Sequence, residues 1–115
     1  MEHRYSARVS QIEPALVYHN AVPAARCRIR NLSAGGAFIE TRLLRFELNA
    51  TVELEFKLGG RSYRLPAAVV SRRSDGLGIM FIASETDNAW WAMRSALYDV
   101  GQQTSIAPAV LSPAI

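Results

Sequence analysis

The feature that most constrains the fold is a succession of short apolar and β-branched runs, separated by turn signals. The clearest pair flanks Gly59 and Gly60, with TVELEFKL before these glycines and SYRLPAAVV after them. Apolar and charged residues alternate in the first run, as expected of a strand with one face buried and the other in water. A Gly-Gly pair between two such runs is typical of a hairpin turn. The pattern predicts a small antiparallel β-sandwich or barrel.

Six strands are predicted from these runs and the turns between them. They cover Ala7–Tyr18, Ala24–Asn31, Ala37–Thr41, Thr51–Leu58, Arg61–Arg72 and Leu77–Ile82. A helical period follows in SETDNAWWAMRSALYDVG, where Ser84 and Asp87 have capping-box spacing and Gly101 ends the pattern. We therefore expect an all-β domain with one helix, namely a six-stranded antiparallel β-barrel followed by a C-terminal α-helix.

The helical segment also indicates which of its side chains are buried. Trp90, Met93 and Leu97 recur at helical intervals and should face the barrel. Adjacent residues point about 100° apart around a helix axis. Of Trp90 and Trp91, one should therefore pack on the barrel while the other lies at the flank of the helix.

The chain has 115 residues, which is the size of one independently folding domain. We expect this domain to cover residues 1–101, with an N-terminal arm over residues 1–8. The tail of residues 102–115 lacks periodicity and contains two prolines, so it should be extended or disordered. No secretory signal and no membrane-spanning run is visible, so a cytoplasmic location is expected. The single cysteine, Cys27, allows no internal disulfide and is expected to be a strand residue.

The basic residues are unusual in kind. Of 13 lysines and arginines only Lys57 is a lysine, and the formal net charge is +3. Such a charge favours an anionic partner without naming one. Guanidinium groups bind phosphates and the guanine O6/N7 edge bidentately and stack on rings, so the bias favours a nucleotide over a bulk polyanion. A GC-rich genome would produce the same bias, and both explanations stay open.

No catalytic or metal-binding pattern is visible in the sequence. His3 and His19 lack the spacing of a metal pair, and no nucleophile elbow, P-loop or dinucleotide-binding glycine motif occurs. We therefore expect neither an enzyme nor a bound metal or cofactor.

Two short motifs remain. RYSAR places Arg4 and Arg8 in R-x-x-x-R spacing, and NLSAGG places Asn31, Ser33 and Gly36 in [DN]-x-S-x-x-G spacing. The first motif is weak, because a chain with this many arginines contains it about once by chance, and RCRIR is a second copy. The second motif is much rarer. Its glycines are also ordinary turn chemistry, so a structural explanation competes with a functional one.

Together the two motifs resemble the signature of the PilZ domain, a family of bacterial receptors for cyclic di-GMP. In that family the arginine motif lies on an N-terminal arm, and the second motif follows across a strand pair. VVSRRSDGLGIMF also resembles the closing hairpin of the family, so the resemblance extends from residue 1 to about residue 100. Many family members carry an aromatic residue where this chain has Ser71. A stacking contact is therefore either absent here or replaced by Arg72 or Arg73.

The resemblance implies a site for cyclic di-GMP, which carries two phosphates and two guanines. Arginine forks can engage phosphate oxygens and the guanine O6/N7 edge and can stack on the purine. The Asn31 side-chain carbonyl can accept from guanine N1–H and N2–H₂, and the Ser33 hydroxyl can donate to phosphate or base. Glycines let the purine lie close to the backbone. The expected ligand-binding residues are Arg4, Arg8, Asn31, Ser33, Gly35 and Gly36.

The implied function is a receptor domain that couples cyclic di-GMP binding to an unidentified protein partner. A first alternative keeps the fold without the ligand, since many PilZ-like domains act as protein-interaction adaptors. A second is a small basic barrel that binds single-stranded RNA or DNA. Such proteins interleave exposed aromatic residues with a basic groove, whereas most aromatics here fall on predicted core faces, which argues against nucleic acid.

Overall fold

The computed structural model describes residues 9, 12–41, 46–82 and 88–100. Six strands are present: β1 Ile12–His19, β2 Val22–Leu32, β3 Gly36–Glu40, β4 Thr51–Leu58, β5 Arg61–Arg73 and β6 Gly76–Phe81. A helix, α1, covers residues 88–100. Several predicted features lie outside the described residues. They are the arm of residues 1–8, residues 7–11 of the predicted first strand except Val9, the capping residues Ser84 and Asp87, Gly101, and the tail of residues 102–115.

The six strands form one closed antiparallel barrel. Their order around it is β1-β2-β3-β6-β5-β4, and β4 pairs with β1 to close the ring. Consecutive strands supply four of the pairs, and the β3–β6 and β1–β4 pairs complete the barrel. The predicted fold, a six-stranded antiparallel barrel followed by one helix, is confirmed.

Two tight turns join strands through residues with positive φ. Gly59 and Gly60, at φ 60° and 84°, connect β4 to β5 as the sequence predicts. Asn20 and Ala21, at φ 54° and 66°, connect β1 to β2. Left-handed conformation at both central residues matches the right-handed twist of the flanking strands. The second turn has no sequence signature, because alanine is not a residue that favours positive φ.

The inward faces of the strands form the core. On β4 the apolar residues of the alternating run are buried, and no polar or charged side chain is buried within the described residues. Cys27 lies in β2, as predicted, and its partial burial raises the pKa of its thiol to about 11. The fully buried large side chains are Phe56, Ile29, Leu32, Ile39, Leu54, Leu65, Met93, Leu97, Val17 and Val69.

Helix α1 packs on the barrel through the face that the sequence predicts. Met93 and Leu97 are 0% and 1% exposed. Trp90 packs against the core cluster, whereas Trp91 is 45% exposed, so the two tryptophans divide as expected. At the other end of α1, the Val100 side chain lies beside Gly59 in the β4–β5 turn.

Candidate ligand-binding site

The NLSAGG segment forms the end of β2 and a tight connection to β3. Asn31 and Leu32 end β2, and Gly36 begins β3. The backbone N–H of Ser33 donates to the carbonyl oxygen of Gly36 over 2.9 Å and closes this connection. The Ser33 hydroxyl donates to the same oxygen over 3.4 Å, which is long for such a bond. The hydroxyl is therefore weakly held and could exchange this partner for a ligand atom.

Gly35 and Gly36 occupy different environments. A Cβ atom on Gly36 would collide with the carbonyl oxygen of Ile79 in the neighbouring strand β6. A Cβ atom on Gly35 would meet nothing within 4 Å. The sequence interpretation gave both glycines one role, close approach of a purine. In the structure, Gly36 must be glycine because β3 lies close to the β6 backbone at this point. Of the two glycines, only Gly35 has open space beside it.

Val9 connects the NLSAGG segment to the chain that follows the arginine motif. The Val9 N–H donates to the Leu32 carbonyl over 3.0 Å, and the Leu32 N–H donates to the Val9 carbonyl over 2.7 Å. Leu32 lies between Asn31 and Ser33 in sequence. The residue directly after RYSAR is therefore paired with the middle of the second motif. Arg4 and Arg8 themselves lie outside the described residues.

A β-bulge in β2 turns Arg30 and Asn31 to the same side of the sheet. Ile29 pairs with Ile39 and Asn31 pairs with Phe38, so β2 has one extra residue, Arg30, between these pairs. Ile29 and Leu32 are both fully buried. The two polar residues between them are directed to the outer surface, where Asn31 is exposed.

Phe38 belongs to a row of cross-strand neighbours on this outer surface. The row runs from Asn31 through Phe38 and Gly78 to Ser71. Ser71 places its hydroxyl over Gly78, where a Cβ atom would collide with it. The aromatic ring of the row is therefore supplied by β3, rather than by residue 71.

The two arginines that follow Ser71 have different surroundings. Arg72 Nη1 donates to the Phe46 carbonyl over 3.4 Å. The guanidinium carbon of Arg73 lies 5.3 Å from the centroid of the Phe38 ring. Of the two candidates to replace the missing aromatic residue, only Arg73 thus contacts the row that contains Asn31.

Charged side chains of alternating sign continue along this surface. Arg30 Nη1 lies 3.3 Å from Glu40 Oε2 and 3.1 Å from Asp75 Oδ2. Two opposing effects act on the pKa of Asp75. Partial desolvation tends to raise it, whereas the hydrogen bond from Arg30, a backbone hydrogen bond and the charges of Arg30 and Arg73 tend to lower it. The lowering effects together are larger, so the pKa of Asp75 lies below its usual range. The full line of contacts is Glu13, Arg28, Glu40, Arg30, Asp75 and Arg73.

Helix α1 contacts the NLSAGG segment directly. The Trp90 Nε1 atom donates to the Ala34 carbonyl over 2.8 Å, and the Phe81 N–H donates to the Gly35 carbonyl over 2.9 Å. Successive carbonyls of the connection are thus fixed by the helix and by the end of β6. The NLSAGG backbone is thus hydrogen-bonded both to the helix and to the barrel.

Two open cavities, of about 360 and 550 Å³, lie elsewhere on the barrel and are both lined by Glu13, Pro14 and Arg26. Neither of these two cavities includes a residue of NLSAGG. They therefore belong to a different part of the surface from the motif.

The fold and the two motifs agree with one known family. The PilZ domain family matches the sequence over residues 2–93. The chain belongs to the PilZ domain family. Comparison with curated proteins gives no match. No helix in the described part of this PilZ domain is long and apolar enough to cross a membrane.

Several solved structures resemble this PilZ domain. The PilZ domain of CeSA from a cellulose-synthesizing bacterium is 14% identical with a TM-score of 0.62, and the match covers 85% of this chain and 97% of that one. An uncharacterized Legionella protein is 10% identical with a TM-score of 0.58, over 85% and 97% of the two chains. The Bacillus subtilis inhibitor of motility MotI/DgrA is 15% identical with a TM-score of 0.68, over 93% of this chain and 53% of that one. At these identities the likeness concerns the fold.

Sequence reasoning did not identify Arg30 and Phe38 as neighbours of the motif in space. Both are adjacent to it in the chain, since Arg30 precedes Asn31 and Phe38 follows Gly36 by two residues. Adjacent residues of a strand point to opposite faces of the sheet, so Phe38 is predicted to point outward because Ile39 points into the core. That signal could have identified Phe38, and alternation along β2 directs Arg30 outward in the same way, but no sequence signal marks the bulge that brings Asn31 to the side of Arg30.

Proposed function

We propose that this PilZ domain is a receptor for cyclic di-GMP that transmits binding of the second messenger to a protein partner in the cytoplasm. The observation that carries the proposal is the pairing of Val9 with Leu32. This pairing brings the residue next to Arg8 alongside Asn31 and Ser33. The residue that directly follows the arginine motif is thereby held beside the second motif, which turn chemistry alone does not require.

The chemistry of the residues supports this ligand. Arg4 and Arg8 would neutralise phosphates and bind guanine edges with their planar forks. The exposed Asn31 offers a carbonyl to guanine N–H groups, and the weakly held Ser33 hydroxyl offers a donor. The open space beside Gly35 would let a purine approach the backbone.

Transmission to a partner is supported by the contact between Trp90 and Ala34. Ala34 lies inside the NLSAGG segment, so a ligand that shifts this segment changes the partner of the indole N–H. In a Trp91→Phe variant, Trp90 is the only tryptophan of the chain. Addition of cyclic di-GMP to this variant should change the fluorescence of Trp90. Unchanged emission at saturation would argue against this route.

Calorimetric titration of the full chain tests the proposal. We expect saturable binding of cyclic di-GMP and no comparable binding of GMP or single-stranded RNA. Binding of RNA with steep salt dependence would instead favour the nucleic-acid alternative. Absence of binding to all three, with an intact fold by circular dichroism, would favour the adaptor alternative.

The adaptor alternative has one observation in its favour. Three apolar side chains on the outer surface beside the motif, Val70, Met80 and Ile82, are about half exposed. Met80 is also the cross-strand partner of Gly36. A protein partner could cover these side chains whether or not a nucleotide binds. If the titration shows no binding of cyclic di-GMP, the adaptor function is the better description of this domain.

A further inference from the structure

The ring of Phe38 lies between the backbone of β6 and the side chain of Arg30. Its Cε2 and Cζ atoms lie 2.8 Å from the place where Gly76 would carry a Cβ atom. The ring therefore fills the space that this glycine leaves. The guanidinium carbon of Arg30 lies over the ring, 4.2 Å from its centroid. Arg30 is thus stacked on a ring that is itself supported from below.

The hydrogen bonds of Arg30 leave one flat face of its guanidinium available. Glu40 and Asp75 both approach Nη1, and N–H donors of a guanidinium point outward in its plane. The guanidinium carbon lies over the Phe38 ring, so one side of the guanidinium is directed towards that ring. The side chain keeps 36% of its surface exposed. A planar, fixed cation is therefore presented to solvent directly beside Asn31.

The charge of Arg30 is already balanced by its neighbours. Glu40 and Asp75 both bind its Nη1 atom, and they also contact Arg28 and Arg73, respectively. Together with Glu13 the line contains three arginines and three carboxylates, so it carries no net charge. An ionic attraction to phosphate is weak at such a site. A flat face that can stack on a base remains.

We propose that Arg30, held over the ring of Phe38, is a purine-stacking residue of the ligand site, so that one guanine of bound cyclic di-GMP lies on the side of its guanidinium that is turned away from that ring. The inference rests on the proposed function, since it assigns a contact within the same site. It also supplies a stacking surface in the cross-strand row that has serine at residue 71.

The barrel contains a matched control for this arrangement. Arg64 lies 3.7 Å from the centroid of the Tyr18 ring and binds Glu53 over 2.8 Å, and its side chain is 39% exposed. It belongs to the surface of β1, β4 and β5, away from the motif. The Arg64→Ala variant therefore measures how the loss of an arginine above an aromatic ring, at a place away from the motif, affects the affinity for cyclic di-GMP.

The experiment compares cyclic di-GMP affinity of the wild-type chain with that of Arg30→Ala, Arg30→Lys, Phe38→Leu and Arg64→Ala, at low and high salt. Loss of one base-stacking contact should weaken binding roughly five- to hundredfold in Arg30→Ala. Arg30→Lys should lose a similar factor, because lysine keeps the charge but has no flat face. Phe38→Leu should weaken binding less, and Arg64→Ala should match wild type. The ratio between wild type and Arg30→Ala should change little with salt, because the contact is not ionic.

Three results would overturn the inference while leaving cyclic di-GMP binding intact: equal effects of Arg30→Ala and Arg64→Ala, full affinity in Arg30→Lys, or a salt-dependent loss typical of a phosphate contact. If the wild-type chain itself fails to bind, the proposed function fails and this inference with it. A measurement on the unaltered protein covers the case in which Arg30→Ala does not fold. In the saturated complex, nuclear Overhauser contacts are expected between guanine H8 and the Arg30 side chain, and their absence would contradict the stacking.

Discussion

The indole Nε1 of Trp90 donates a hydrogen bond to the carbonyl oxygen of Ala34 over 2.8 Å, and so joins α1 to the connection between β2 and β3. The two residues are 56 positions apart in the chain. This bond is a direct contact between the helix and the candidate ligand site.

Replacing Trp90 by phenylalanine should reveal the strength of this link. The variant keeps an aromatic ring against the core but leaves the Ala34 carbonyl without its indole donor. We expect the free energy of unfolding to fall by about 1 kcal/mol, measured by urea denaturation. Trp91→Phe is the control and should stay within about 0.5 kcal/mol of wild type, because Trp91 is about half exposed. Equal losses in both variants would show that the bond contributes nothing specific.

The two glycines of NLSAGG should respond differently to alanine. Gly36→Ala places a methyl group against the Ile79 carbonyl and should lower stability by about 1–3 kcal/mol. Gly35→Ala meets open space, so its melting temperature should match wild type while its affinity for cyclic di-GMP falls. Thermal denaturation and calorimetry on both variants separate the two effects. A stable Gly36→Ala protein would disprove the close contact between β3 and β6.

Asn31→Ala and Ser33→Ala test recognition with little disturbance of the fold. Asn31 is exposed, and the hydroxyl bond of Ser33 is long, so both melting temperatures should stay within a few degrees of wild type. Binding of cyclic di-GMP should weaken in each case, as measured by calorimetry. Sharply lower stability with unchanged affinity would make NLSAGG a structural turn and would support the adaptor function.

Arg4→Ala and Arg8→Ala should each weaken binding roughly ten- to over a hundredfold, because each removes a charge-assisted bond worth about 1.5–3 kcal/mol. Arg8→Lys should restore little, since a point charge does not reproduce the planar fork. Arg26→Ala is the control, because Arg26 belongs to the other R-x-x-x-R match and lines a cavity away from NLSAGG. Loss of binding in Arg26→Ala with none in Arg4→Ala and Arg8→Ala would reverse the assignment of the motif.

Cys27 should react slowly with thiol reagents in the folded protein. Burial raises the pKa of its thiol from 9.0 to about 11, so at pH 8 the reactive thiolate is about a hundredfold rarer than for an ordinary thiol. The rate of maleimide labelling should rise about tenfold per pH unit above pH 8 and level off only near pH 11. The urea-unfolded chain provides the reference for a thiol with ordinary pKa. A rate that already levels off near pH 9 in the folded chain would contradict the burial effect.

Much of the fold was predictable because it follows from the regular spacing of apolar residues in the sequence. The alternation in TVELEFKL identifies β4, and the spacing of Met93 and Leu97 identifies the buried face of α1. The turn at Asn20 and Ala21 was not identified by its residue types, since alanine at positive φ is held by the strands on either side.

The site was predictable only in part, since its motifs are local and its geometry is not. Asn31 and Ser33 were identified from a motif, and the family resemblance predicts that they lie near the arginine motif. The different roles of Gly35 and Gly36 depend on Ile79, which is distant in the chain. The outward direction of Asn31, on the same side as Arg30, depends on a bulge that no local residue type marks. Contacts set by pairing with distant strands require the structure.

The closure of the barrel limits how this domain can communicate with other proteins. Each of the six described strands pairs with a neighbour on both sides, so no strand is a free edge along its whole length. Strand addition, in which an extended segment joins a sheet through main-chain hydrogen bonds, would therefore have only short unpaired stretches to use. We expect a partner to bind mainly side chains on the outer faces of the strands or on α1. A change of state in this domain would accordingly be expressed as altered surface shape and charge, while the backbone hydrogen bonds of the sheet stay as they are.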